Sequence, residues 1–177
     1  TPISRHSEKF SKKRLWRASR NCFTKMKNLP IEKDTVLKRI GGIQEEVAEL
    51  SRLAKLPQKE FETGDGYKLA QYHLHRALEG VFNIGSHIIS RIPGGEATQY
   101  GEIAEKLGKL GIIDNAFAQE KLVLMAKYRN RLVHFYAEVT PPELYEILQK
   151  DLSDFDIFLI AVKNVLENPV KYKVSVK

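Results

Sequence analysis

Apolar residues at helical spacing, cut into segments by proline and glycine, constrain this chain more than any other feature. Val36, Ile40, Ile43, Val47, Leu50 and Leu53 recur every three to four residues with Glu and Lys between them, which predicts a helix over 34–56. Pro57 ends it, and 57–66 reads as a polar loop with Gly64-Asp65-Gly66 as its strongest breaker. A second long helix is expected over 67–92, stopped by Pro93-Gly94-Gly95. A shorter one follows over 100–110, with Thr98 as a candidate cap and Gly111 at its end. Asp114 is placed to cap a fourth helix running towards His134. Pro141-Pro142 starts a fifth, in which Leu144, Ile147, Leu148, Leu152, Phe155, Phe158, Leu159, Val162 and Leu166 keep the period until Asn168-Pro169. No useful strand-like alternation precedes the last few residues, and repeats are absent. The pattern predicts an all-α, antiparallel up-and-down bundle of about four long helices and a short one, with a frayed Lys-rich end.

The chain has 177 residues, enough for one domain with a full core and short for two. No uninterrupted apolar run approaches the roughly 18 residues that a membrane span requires. Cys22 is the single cysteine, which excludes an intramolecular disulfide and a cysteine-cluster metal site. A reducing cytoplasm fits that usage.

The net charge of +7 resembles a nucleic-acid signal until its distribution is considered. Residues 1–33 carry ten Lys and Arg against Glu8 and Glu32, a balance of +8, so the remainder is close to neutral at −1. Three readings of this segment stand open: a basic arm on RNA or DNA, an Arg-rich transit peptide, or an extension outside the natural product. The first Met is Met26, just before the periodic sequence begins. We therefore divide the chain into a basic extension (1–33), a helical domain (34–168) and a tail (169–177), and rest no function on the first.

The second helix is two-faced. Ala77, Leu78, Val81, Phe82, Ile84, Ile88 and Ile89 occupy one arc, while Tyr72, Arg76, Glu79, Asn83 and His87 share a band of roughly 80° at about 100° per residue. That stripe reads either as a solvated face or as a polar surface at a subunit interface or active cleft. His73 and His75 lie off it and read as ordinary surface or rim residues.

The densest chemistry is Tyr128-Arg129-Asn130-Arg131-Leu132-Val133-His134-Phe135-Tyr136. Arginine presents a fork of donors that matches phosphate oxygens and stays charged. Histidine as a residue type titrates near neutrality and can take or give a proton. Aromatic faces offer stacking for a base. RNA cleavage requires a group to take the 2′-hydroxyl proton, a group to protonate the departing 5′-oxygen, and positive charge on the phosphate. It requires neither a metal nor a cysteine, and no metal-ligand cluster or cofactor motif is evident. Arg129 and His134 are five apart, about 140° around a regular helix, so they do not share a face, whereas Asn130 and His134 do. Either the helix loosens, or the arginine bends round, or a second copy completes the site. A structural histidine at a helix C-terminus is the plain alternative.

Arg129-x4-His134-x-Tyr136 resembles the signature of HEPN domains, and its Arg-Asn-Arg-Leu-Val-His context resembles the HepT-like branch. The similarity extends over Ala77 to Ile89, Tyr100-Gly101-Glu102-Ile103, Gly111-Ile112-Ile113 and the helix from Pro141, covering roughly residues 34–168. The resemblance implies a helical bundle that pairs as a homodimer, with motifs of both copies meeting in a cleft. It also implies metal-independent endoribonuclease action, commonly as a toxin. By residue, Arg129 would bind and stabilise the phosphate and His134 would do acid–base work. Asn130 and Arg131 would support them, with Glu79 and Asn83 matching the polar character of the family's second helix.

The partner implied is a minimal nucleotidyltransferase antitoxin that transfers AMP to the motif tyrosine, here Tyr136. Such a group adds bulk and negative charge beside the phosphate site. Two departures stand out: the basic stretch before Met26 has no family counterpart, and Phe135 fills a position where a small residue is frequent. A ring there would narrow the cleft or supply stacking. The alternatives are a non-catalytic HEPN module that binds nucleotides or a partner, and a plain helical scaffold, which would leave the polar stripe unexplained.

Overall fold

The computed structural model describes residues 29–93, 95–134 and 139–177. Its elements in chain order are α1 (Lys33–Leu53), α2 (Gln58–Thr63), α3 (Gly66–Ile89), α4 (Tyr100–Lys109), α5 (Asn115–Phe117), a π-helical turn (Ala118–Leu122), α6 (Val123–Val133), α7 (Pro141–Lys150) and α8 (Ser153–Glu167). The described residues form an all-α bundle without a sheet, as the periodicity predicts.

The central element is α3, which packs against α1, α2, α4, α6 and α7. Its apolar arc explains this position: Ala70, Leu74, Ala77, Leu78, Val81, Phe82, Ile84, Ile88 and Ile89 are all buried. Close approach is built into two glycines. A Cβ at Gly80 would lie 2.6 Å from Ile43 Cγ1 of α1, and one at Gly85 would lie 2.9 Å from Ile103 Cγ2 of α4. Contacts advance along α1 while they retreat along α3, with Arg39 beside Asn83 and Glu46 beside His73, so these two helices are antiparallel.

Local chemistry sets several boundaries. Asp114 caps as expected, its carboxylate accepting from the Phe117 amide at 2.9 Å. The cap of α4 is Gln99 rather than Thr98; Glu102 accepts from the amides of Thr98 (2.9 Å) and Gln99 (3.4 Å). Gly111, at φ +66°, closes α4 with paired Ile112→Leu107 and Gly111→Gly108 amide–carbonyl bonds.

Four expectations need correction. The loop over 57–66 contains α2, because Phe61 is fully buried against Tyr67 and Tyr145 and organises a turn around itself. The fourth helix carries a π-turn at Ala118–Leu122. The fifth divides at Asp151-Leu152 into α7 and α8, where Lys121 reaches Asp151 (2.9 Å) and Asp154 (3.6 Å) from the π-turn. The chain end is held rather than frayed: the amides of Ile31 and Lys33 donate to the carbonyls of Ser175 and Lys177, and the Lys177 amide returns a bond to Ile31.

Candidate active site

The motif lies on α6, which runs antiparallel along one edge of α3. Arg129 sits beside Glu79, and the end of α6 sits beside His75, Tyr72 and Gln71, one to two turns further back. The helical wheel of α3 explains the match, because Gln71, His75 and Glu79 recur at i and i+4 on that edge.

Arg129 is held on two sides. Its Nε donates to Glu79 Oε2 at 2.9 Å, its Nη2 lies 2.8 Å from the same oxygen, and its guanidinium stands 4.2 Å from the Tyr100 ring centroid. The plane of the fork is therefore fixed by an ion pair and a cation–π contact together.

Helix α6 ends at Val133, and His134 is its extended C-cap at φ −115°, ψ 115°. The 140° separation from Arg129 on a regular wheel thus does not apply, because the helix stops one residue before His134. The imidazole is exposed and lines a cavity of about 520 Å³. Gln71, Tyr72 and His75 form the α3 wall of that cavity, with Arg131, His134 and Val139 across from them. Its size falls within the range of small-ligand sites.

Arg131 is clamped by Glu143 of α7 through two bonds, Nη1 to Oε1 at 2.5 Å and Nη2 to Oε2 at 2.9 Å. The Tyr128 hydroxyl also donates to Glu143, at 3.2 Å. The Arg131 hydrogen bond holds the Glu143 carboxyl below its ordinary range, against the opposing effect of partial burial. The same bond pushes Arg131 upwards. Burial, with the Glu143 charge, raises the Tyr128 phenol. This clamp had no local signature, since Glu143 lies beyond the motif in the next helix.

The remaining candidates are dispersed. Asn130 and Asn83 are exposed, and Arg39 reaches the Asn83 carbonyl at 3.4 Å. His87 is half-buried, its Nε2 lacking a hydrogen-bond partner among the described residues; burial lowers its pKa, reinforced by Arg91 and Arg39. Tyr136 and Phe135 lie outside the described residues.

His73 and His75 are not simple surface residues. His73 Nδ1 is 2.7 Å from Glu46 Oε2, and Arg76 Nε also bonds the Glu46 carboxylate. Burial works to raise the Glu46 pKa, but the hydrogen bonds and charges of Arg76 and His73 outweigh it and lower it. His75 lines the cavity, its Nε2 buried without a hydrogen-bond partner among the described residues. Sequence spacing placed these groups off the polar stripe because α1 and α6 approach α3 from its two flanks.

Among the described residues, no three His, Cys, Asp or Glu side chains gather as a metal-binding group. No helix among them is long and apolar enough to cross a membrane. The all-helical bundle and a family-model match together make this a HEPN-type module. The chain belongs to the family described as Ribonuclease HepT-like, whose model matches residues 43–162, more than half its length. No curated protein matches it.

Proposed function

We propose that this chain is a metal-independent endoribonuclease toxin that acts as a homodimer on RNA. The observation that carries this reading is the alignment of Arg129 and His134 along one edge of α3, with His134 on the wall of a cavity. In the proposed reaction the 2′-oxygen attacks phosphorus, the bond to the 5′-oxygen breaks, and one proton leaves the first oxygen while another reaches the second. His134 serves this proton transfer. The Arg129 fork, held flat by Glu79 and Tyr100, stabilises the charge on the crowded phosphate. One imidazole performs one of the two proton transfers at a time, so a cleft shared by two copies supplies a second His134.

A minimal nucleotidyltransferase antitoxin is the proposed regulator, and AMP transfer to Tyr136 the proposed means. The cytoplasm is the proposed compartment. A second reading, a non-catalytic nucleotide- or partner-binding module, is favoured by one feature: Glu79 and Glu143 already neutralise the two motif arginines.

The discriminating experiment is RNA cleavage in EDTA by the wild type and by His134→Ala. Cleavage that survives EDTA and disappears in the variant, with helicity unchanged, supports the ribonuclease. Equal background in both proteins moves the assignment to the binding module, and cleavage retained by the variant removes His134 from the chemistry.

A further inference from the structure

Tyr72 presents an exposed ring on the cavity wall, with 55% of its surface accessible, yet it is braced on two sides. The His73 ring meets it edge-on at 5.3 Å between centroids, at an interplanar angle of 77°. The Arg76 guanidinium lies 5.5 Å from its centroid. Both braces are themselves anchored, since His73 and Arg76 bond the same Glu46 carboxylate, which is only 14% exposed. An exposed aromatic ring ordinarily keeps its rotamer freedom, and binding must then order it. Here the ordering is already done by the fold.

Beside this ring the α3 wall offers a fixed carboxamide. Gln71 Nε2 donates to the Tyr67 hydroxyl at 2.8 Å, and that hydroxyl donates to the Val139 carbonyl at 2.6 Å. The chain of bonds fixes the carboxamide and leaves its oxygen as an acceptor. The His75 imidazole lines the same wall, its Nε2 buried and without a hydrogen-bond partner among the described residues. A flat aromatic face next to a fixed amide and an imidazole suits a heterocycle with polar edges better than it suits a phosphate or a sugar.

We propose that Tyr72, braced by His73, Arg76 and Glu46, is the stacking platform of a nucleobase subsite whose edge is read by Gln71. The subsite opens into the cavity that His134 lines, so it holds a base of the strand whose backbone reaches that histidine. This deepens the ribonuclease reading and rests on it for RNA as the ligand. Glu46 acts here as a positioning residue, through His73 and Arg76.

The test is binding of a fluorescein-labelled 2′-O-methyl hexanucleotide, which lacks the nucleophile for cleavage, to the full chain by anisotropy. An abasic oligomer of equal length and charge is the control. Tyr72→Ala should weaken binding of the base-bearing oligomer about tenfold, the size of one lost base–aromatic stack, while Tyr72→Phe stays close to wild type. The abasic oligomer should bind wild type and Tyr72→Ala alike. Gln71→Ala should change the ranking of the four homopolymers. Glu46→Gln should weaken binding less than Tyr72→Ala does. Wild-type affinity in Tyr72→Ala, an equal loss for the abasic oligomer, or no binding by the wild type would each overturn the subsite. Cleavage of 2′-hydroxyl RNA by the same proteins is scored separately. Tyr72-dependent binding without cleavage keeps the subsite and removes the ribonuclease, and cleavage without that dependence does the reverse.

Discussion

Arg129 and Arg131 stand two residues apart and meet different fates, which shows how tertiary partners divide chemically identical side chains. Arg129 lies against Glu79 and Tyr100, so its fork faces the edge of α3. Arg131 gives two bonds to Glu143, and the pair ties α6 to the first turn of α7. In the proposed mechanism Arg129 serves the phosphate, whereas Arg131 joins two helices and lines the cavity beside His134. Arg129→Ala should therefore lower the cleavage rate about 100-fold or more, the usual cost of losing a charge-stabilising donor. An unchanged rate constant in single-turnover assays would make Arg129 a structural residue. Glu143→Gln should instead destabilise the fold by about 1 kcal/mol, between the values for exposed pairs and for charged hydrogen bonds. Because the folded-state pKa of Glu143 is depressed, its contribution is present above the unfolded carboxylate value and is lost as pH falls through the folded value. Urea titrations from pH 7 down to about pH 3 should show a flatter loss of stability for the variant than for the wild type, the span being set by ordinary carboxylate values. Parallel slopes would contradict the assigned role of the pair.

Among elements, the seam between α1 and α3 is where sequence and packing meet most tightly. Gly80 lies there with Ile43 across it, and an added methyl would sit 2.6 Å from the Ile43 side chain. Intrinsic propensity favours alanine over glycine inside a helix, so an isolated helix would gain from Gly80→Ala. In the folded protein the clash outweighs that gain, and the expected outcome is destabilisation of about 1–3 kcal/mol by denaturant titration. Gly80→Ala combined with Ile43→Val should recover part of the loss, and a stabilised single variant would show that the seam is loose. The helices α1, α3 and α4 were legible because each carries an amphipathic stripe bounded by proline or glycine. Helix α2 was not legible, since one buried residue, Phe61, in a six-residue segment has no period to read. The break between α7 and α8 was equally silent, because Lys121 acts there from outside the segment.

At the scale of the whole molecule, the mass in solution tests the proposed homodimer. Sedimentation at micromolar concentration should give about twice the 20.3 kDa of one chain. In the proposed dimer, mixing Arg129→Ala and His134→Ala chains should restore part of the cleavage if the two copies share a site. A monomer that cleaves RNA would remove the shared cleft.

The sequence by itself determined the all-helical class, because helical periodicity and its breakers are local properties that survive without a partner. It also determined which residue types cluster in the Arg129–His134 segment, and with them the resemblance to a family. Only the tertiary structure decided what those residues face. The pairing of Arg129 with Glu79, separated by 50 residues, and of His73 with Glu46, separated by 27, depends on which flanks of α3 receive α6 and α1. Burial of the apolar arc on α3 fixes those flanks, and no short-range pattern records the outcome.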